Sequence, residues 1–240
     1  NPRLGAAYLP YYATSYEEAK VLYAPDSFMA QTMGELTAKE GVRFLGFCLE
    51  GFIGMGVVKT PKNVEDPASN KGISLRSPAI STFRLVQEDL GYIPITVAYN
   101  EVPTAIQTNV VDGWIGGTPN MNYAWVGEII KQMYVNYIHA EATAYVASEK
   151  SLEKLSEEDR QTVIEVFQEQ SVQSFEDAEA NEKVYMQKLQ DDYGVEVIEF
   201  TGDVLQNNAD YVREKTWTRL EDALTPELIA GFRAEVEKLG

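Results

Sequence analysis

Strands that alternate with helices along this chain of 240 residues predict an α/β protein with a largely parallel sheet. Apolar and polar residues alternate over residues 73–76, and a helix pattern then runs to Gly91. A second strand, helix and strand follow within residues 95–113, and residues 156–193 form a polar helix pattern without Pro or Gly. These three observations together predict the fold class.

The N-terminal part of the chain predicts two helices and one long strand. Ser15 and Glu18 have capping-box spacing, so a helix starts there, and Pro25 with Asp26 begins a second helix that runs to about residue 39. Residues 42–58, VRFLGFCLEGFIGMGVV, are rich in aromatic and branched side chains, which favours a buried strand. Glycines at positions 51, 54 and 56 should bend it, and a lobe boundary is placed there.

The C-terminal part predicts one more strand and three helices. The acids of the long pattern over residues 156–193 are interpreted as a solvated helix face rather than as metal ligands. Residues 194–200 read as a short strand and residues 206–224 as a helix. Thr225 and Pro226 begin the last helix.

Arg76 is predicted to lie at an anion-binding corner of the sheet. It ends the strand over residues 73–76, and Ser77 and Pro78 look like the N-cap and first residue of the next helix. Ligands of open α/β sheets bind at the carboxyl ends of strands, and helix N-termini offer free N–H groups to anions. This corner is therefore expected to receive an anion.

The amino-acid composition limits the classes of molecule that the chain is expected to bind. A net charge of -17 and a pI near 4.5 disfavour binding to nucleic acid or to anionic membranes, because both repel an acidic surface. Cys48 is the one cysteine, so the chain cannot form an internal disulfide. A single cysteine is compatible both with the cytoplasm and with a periplasmic protein that has no disulfide. The sequence contains no run of about 18 apolar residues, so it predicts no membrane-spanning helix.

Catalytic groups are scarce. His139 and Cys48 both lie in apolar, strand-like segments and are interpreted as structural, and no carboxylates have a recognisable metal-binding spacing. We therefore expect no enzyme activity, metal or cofactor. The aromatic segments AYNE and DGWIGGTPNMNYAW fit a pocket wall and fit ordinary core packing equally well.

The segments GISLRSP, AYNEVPTAIQTNVVDG and LSEEDRQTVIEVFQE resemble the solute-binding proteins of TRAP transporters, a family that includes dicarboxylate and sialic acid binders. The resemblance extends from about Pro10 to the C-terminus. It implies a two-lobed fold like that of periplasmic binding proteins, with a long lobe-bridging helix. It also implies a periplasmic receptor that closes on a small organic acid, hands it to the TRAP membrane permease, performs no chemistry, and is a monomer when full length.

The resemblance assigns a ligand site. Arg76 matches the arginine that clamps a ligand carboxylate with two parallel hydrogen bonds, and Tyr99 matches an aromatic position that lines the ligand. Ile53 stands where the family often has a second arginine, and Gly116 where it often has asparagine. The expected ligand-binding residues are Arg76, Tyr99, Trp114, Gly116, Asn120 and Tyr123.

The two departures from the family pattern affect the expected ligand. Because Ile53 and Gly116 remove polar support, Trp114, Tyr123 or Trp125 is expected to fill the space. A monocarboxylate with an apolar or aromatic body then fits better than a C4-dicarboxylate or a sialic acid.

The resemblance also divides the chain. Lobe one comprises residues 1–52 and 142–181, and lobe two comprises residues 53–141 and 182–240. Family members carry further strands and helices before the region that matches residues 1–20. We therefore expect lobe one to be incomplete here, and the natural gene product to carry the missing segment after a secretory signal.

Two rival functions remain at this point. An α/β enzyme would need a catalytic group in the cleft, and the scarcity of His and Cys argues against one. A ligand-sensing module would share the cleft but pass its signal to a different partner.

Overall fold

The computed structural model describes residues 1–239, in which helices surround a six-stranded sheet. The strands are β1 (Val42–Val57), β2 (Ser74–Ser77), β3 (Ile93–Thr96), β4 (Gly113–Gly117), β5 (Gln132–Ser148) and β6 (Glu196–Glu199). Their order across the sheet is β3, β2, β4, β1, β5, β6. Two strands, β1 and β5, are much longer than the others and form the centre of the sheet.

Strand β1 runs antiparallel to the other strands of the sheet. It pairs antiparallel with both β4 and β5, whereas β2 with β3, β2 with β4, and β5 with β6 are parallel pairs. The predicted parallel sheet is therefore correct for five strands and wrong for β1. The direction of β1 is set by its antiparallel pairing with β4 and β5, both of which follow it at a distance in the sequence.

The helices agree with the sequence pattern in most places. They are α1 (Tyr16–Leu22), α2 (Phe28–Ala38), α3 (Ser81–Asp89), α4 (Val102–Gln107), α5 (Pro119–Val126), α6 (Glu149–Leu152), α7 (Glu157–Tyr193), α8 (Gly202–Leu224) and α9 (Pro226–Glu237). Short 3-10 helices cover Pro2–Tyr8 and Tyr99–Glu101.

The long helix α7 confirms the prediction for residues 156–193. The Ser156 hydroxyl accepts a hydrogen bond from the Asp159 amide at 3.1 Å, which caps the N-terminus. Gly194 ends the helix with a positive φ of 67°, a conformation that glycine adopts without strain. Ser15 caps α1 in the predicted way by accepting from the Glu18 amide.

The predicted cap at Ser77 is wrong. Ser77 is the last residue of β2 and pairs with Thr96, and its hydroxyl donates to the Pro78 carbonyl. Helix α3 begins only at Ser81, after Ile80 in an extended conformation and without a side-chain cap. The sheet ladder keeps Ser77 in β2, so Arg76 lies at a strand end that is not directly followed by a helix.

The largest buried cluster joins segments from both predicted lobes. It includes Phe47 and Leu75, together with Trp217 and Phe232 from α8 and α9. A second cluster lies around Trp114, Ile106 and Val126. The lobe boundaries given above remain a prediction.

The described part of the chain contains no helix that is both long and apolar enough to cross a membrane. Within residues 1–239, no three or more His, Cys, Asp or Glu side chains are grouped so that they could hold a metal ion.

Candidate functional site

Arg76 is buried at the carboxyl end of β2. It pairs with Ile95 of β3 on one side and with Trp114 of β4 on the other, and only 4% of it is exposed. The Arg76 Nε donates to the Val97 carbonyl at 3.0 Å. Burial lowers the pKa of Arg76, because the charged form loses hydration.

The end of the Arg76 guanidinium has no partner within residues 1–239. No carboxylate pairs with it, and neither Nη1 nor Nη2 donates a hydrogen bond there. Asp112, the acid that could have neutralised it, instead accepts from the Ser74 amide at 2.8 Å and lies 3.7 Å from Lys59 Nζ. The terminal nitrogens are not among the buried atoms that lack a partner, so the charged end of Arg76 is accessible to an anion.

Gly116 makes room for this guanidinium. Its φ is 133°, and a Cβ built at Gly116 would lie 3.0 Å from Nη1 of Arg76. A side chain at this position would be strained and would displace the arginine. The residue that departs from the family pattern therefore lies next to the arginine that is expected to bind a carboxylate.

Three aromatic rings form a wall beside Arg76, which we call the aromatic wall: Tyr99, Trp114 and Trp125. The Arg76 guanidinium carbon is 5.8 Å from the centre of the Tyr99 ring. The centres of the Tyr99 and Trp125 rings are 4.0 Å apart, and Trp114 lies 5.9 Å from Trp125 in an edge-on arrangement. Such contacts suit an aromatic or apolar surface on a ligand.

Within the aromatic wall, the rings differ in exposure. Tyr99 is 47% exposed and Trp125 is half-buried, whereas Trp114 is fully buried. The Trp114 indole N–H donates to Asn122 Oδ1 at 2.9 Å. Trp114 is therefore the buried support of the aromatic wall. Within its segment, Trp114 packs in the core, as one prediction had it, while Trp125 exposes ring surface, as the other had it.

Asn120 and Tyr123 make contacts that do not involve Arg76. Asn120 is exposed and shares a cavity of about 250 Å³ with Glu50 and Tyr145. Tyr123 donates to Asp192 Oδ2 at 2.8 Å and packs against Tyr193, both of which belong to the end of α7. The structure thus brings together Arg76, Tyr99, Trp114 and Gly116 but not the other two expected residues.

Glu141 is a buried acid that the sequence analysis did not single out. It lies on β5 with 9% exposure, and Tyr8 Oη donates to its Oε1 at 2.8 Å. Burial raises the pKa of Glu141 to about 7; the hydrogen bond from Tyr8 opposes this effect, and the nearby charge of Glu50 adds to it. The signal was an acid inside the apolar, small-residue segment YIHAEATAY.

Glu50 lies opposite Glu141 at a bulge in β1. The register shifts between Leu49, which pairs with Ala142, and Phe52, which pairs with Ala140. Glu50 Oε1 accepts from the Thr143 hydroxyl at 3.0 Å. Two acids therefore stand on the central strands, just beyond the ends of the shorter strands.

A second buried acid joins α7 to β1. Glu182 Oε2 accepts from Tyr16 Oη at 2.9 Å and from the Phe52 amide at 3.3 Å. Burial raises the pKa of Glu182 to about 7, against the opposing effect of these two hydrogen bonds. This contact fixes the middle of the long helix to the bulge of the central strand.

His139 is structural in this fold, as the sequence predicted. It is fully buried, and its ring centre lies 4.2 Å from that of Phe83. Burial lowers the pKa of His139 to about 3, so the imidazole is neutral at physiological pH. Cys48 is half-buried rather than a core residue. The geometry around Arg76 is that of a binding site for an anion.

The chain belongs to the bacterial extracellular solute-binding protein family 7, whose model matches residues 1–219. Among curated relatives, the sialic acid-binding periplasmic protein SiaP of Vibrio cholerae serotype O1 is 25% identical over 167 residues. That match covers 70% of this chain and 51% of the relative, so the chain spans about half the length of this relative.

Solved structures share the fold. A TRAP periplasmic solute-binding protein from Rhodoferax ferrireducens with bound malonate superimposes with a TM-score of 0.84 at 16% identity, over 99% of this chain and 75% of the other. One from Desulfovibrio salexigens with bound orotic acid gives 0.83 at 16% identity, over 100% and 76%. The chain therefore has the α/β fold of these two-lobed binding proteins, which confirms the predicted fold class.

Proposed function

We propose that this chain is part of the extracytoplasmic solute receptor of a TRAP-type secondary transporter, and that it captures a small organic acid through the acid's carboxylate. One observation carries the proposal. Only 4% of Arg76 is exposed, yet neither terminal nitrogen of its guanidinium has a hydrogen-bond partner within the part of the chain that the structure describes. A carboxylate is the planar anion that matches the two parallel N–H groups of arginine.

The relatives support an acid as the ligand. Malonate and orotic acid, bound in two proteins of the same fold, and sialic acid, in the name of a third, each carry a carboxylate. The low identities leave the rest of the ligand open. The aromatic wall favours an acid with an apolar or aromatic body, because Tyr99 and Trp125 expose ring surface next to the arginine.

Further expectations follow from family membership. The partners are the small acid and the TRAP membrane permease, the compartment is the periplasm, and the protein acts as a monomer without a cofactor or catalytic step. Net charge of -17 keeps nucleic acid out of the proposal. Arg76, Tyr99, Trp114 and Gly116 form the proposed site, and Asn120 and Tyr123 remain proposed contacts of a closed form.

A thermal-shift screen tests the function. Purified full-length protein is heated with malonate, succinate, orotate, sialic acid and a series of aromatic monocarboxylates, since a ligand that binds the native state raises its melting temperature. At least one carboxylate should raise it, and the amide of the same acid should not. A screen in which the amides stabilise as well as the acids would contradict carboxylate capture.

A further inference from the structure

Two buried groups of opposite charge lack an opposite charge of their own. Arg76 is 4% exposed and Glu141 is 9% exposed, and neither takes part in an ion pair among residues 1–239. Glu141 Oε1 accepts from Tyr8, and its other oxygen has no hydrogen-bond partner in that range. The unpaired ends of both groups are not among the buried atoms that lack a partner, so each is accessible to a ligand of opposite charge, and such a ligand would favour the ionised form of Glu141.

Strand register brings the two groups to the same region of the sheet. Gly116, which contacts Arg76 Nη1, ends β4 next to Gly117, and Gly117 pairs with Gly54 of β1. The bulge of β1 that faces Glu141 begins two residues before Gly54, at Phe52. Thr118, which follows β4, lies against Gly51 of this bulge, 3.3 Å from where a Cβ would stand.

Tyr99 lies next to Arg76, and the charge of Glu141 also acts on it. Its ring lies 5.8 Å from the Arg76 guanidinium carbon, and 47% of the residue is exposed. The pKa of Tyr99 is raised first by burial and then by the charge of Glu141, while the charge of Arg76 lowers it. The positive and negative groups therefore act on one exposed ring, which itself can accept a cation on its face.

We propose that the solute is a zwitterion, whose carboxylate pairs with Arg76 and whose protonated amine pairs with Glu141 across Tyr99. This inference rests on the proposed function and narrows its ligand to an amino acid or a related amino-carboxylate. Glu50, opposite Glu141 on β1, adds negative charge on the amine side. A dicarboxylate would instead place its second anion next to these acids.

Matched ligands separate the zwitterion from a simple acid. Calorimetry on the purified full-length protein compares the common α-amino acids with their deaminated acids, for example phenylalanine with 3-phenylpropionate, and with amines that lack the carboxylate, such as phenethylamine. At least one amino acid should bind about 10- to 100-fold more tightly than both of its partners, as expected for a hydrogen-bonded charge on each end. This comparison needs no mutant.

Variants assign the charges. Glu141→Gln should remove the preference for the amino acid over its deaminated acid. Glu182→Gln is the matched control, because Glu182 is equally buried and also accepts from a tyrosine hydroxyl, but it joins α7 to β1. It should keep the preference. Arg76→Gln should weaken the amino acid and the deaminated acid alike.

The outcomes distinguish the two proposals. If deaminated acids or malonate bind through Arg76 as tightly as any amino acid, or if no amino acid binds, the zwitterion is wrong and the acid receptor stands. A preference for the amino acid that survives Glu141→Gln also overturns the assignment of Glu141. Carboxylate binding that is unchanged in Arg76→Gln would overturn the proposed function itself.

Discussion

Arg76 is the residue on which the proposed acid capture depends, because neither of its terminal nitrogens donates a hydrogen bond within residues 1–239 and both lie beside the aromatic wall. Replacing it with Ala should cost about 2 to 5 kcal/mol of binding free energy, since the ligand carboxylate would lose its charged partner in a desolvated site. Lys should restore little, because an ammonium cannot form the planar two-pronged contact.

Calorimetry with the tightest acid measures both variants. Arg213→Ala is the control, since Arg213 is half-buried and its Nε, like that of Arg76, donates to a carbonyl, that of Tyr11, at 2.9 Å. It should lower stability and leave affinity unchanged. Equal affinity in wild type and Arg76→Ala would mean that the carboxylate binds elsewhere.

The exposed and the buried ring of the aromatic wall should respond differently to mutation. Tyr99→Ala removes exposed ring surface and should weaken an aromatic acid by about 0.5 to 1.5 kcal/mol, with little effect on malonate. Trp114→Phe leaves buried Asn122 Oδ1 without its donor and should lower the free energy of unfolding by about 1 to 3 kcal/mol.

Affinity measurements and urea denaturation separate the two effects. If Trp114→Phe changed ligand selectivity while leaving stability intact, Trp114 would belong to the binding surface and not to its support.

Sequence reasoning found Arg76 because strand periodicity and family resemblance coincided at one position. It missed Glu141 because burial of an acid depends on which strand lies opposite, and the β1 bulge that brings Glu50 to face Glu141 is a property of pairing. It placed Asn120 and Tyr123 beside Arg76 because they are close in sequence to Gly116. Helix α5 instead carries Tyr123 to the end of α7.

Among the elements, α7 and its contact with β1 govern the response to pH. Glu182 has a pKa raised from 4.5 to about 7, so its neutral form favours the folded state. Its contribution to stability is fully present below pH 4.5 and is lost as pH rises through about 7. The nearby charges of Glu199 and Lys183 have opposite effects on this pKa: Glu199 acts to raise it and Lys183 acts to lower it.

Glu182→Gln should therefore gain stability over wild type as pH rises. The difference in unfolding free energy should be near zero at low pH and should favour the variant by up to about 3 kcal/mol above pH 7. Glu169→Gln, on an exposed part of α7, serves as the control. Urea denaturation from pH 4.5 to 8 provides the measurement, and parallel curves for wild type and Glu182→Gln would contradict the raised pKa.

Local signals predicted the helices better than the sheet. Helix α7 was found with its cap at Ser156 and its end at Gly194, because both signals lie within a few residues of the boundary. Ser77 and Pro78 carried an equally good cap signal, yet pairing with Thr96 kept this segment in β2. The reversed direction of β1 could not be read locally, because it depends on β4 and β5.

For the whole molecule, a receptor that closes around its solute should become more compact when the solute binds. Small-angle X-ray scattering of the full-length protein should show a smaller radius of gyration with the tightest acid than without it. The Arg76→Ala variant should show no change at the same acid concentration, because the differential contact that favours closure is missing. An unchanged radius in wild type at saturation would rule out large-scale closure.

The reversed central strand also sets the order in which the sheet can be completed. Strand β1 ends at Val57, but its longest ladder is with β5, which begins only at Gln132, and β6 adds to β5 later still. Until residues 132–148 are available, β1 has one side without its partner, so the contacts that close the sheet are distant in sequence. High contact order slows folding, and this topology predicts a slowly folding chain whose rate-limiting step is the docking of β5 onto β1.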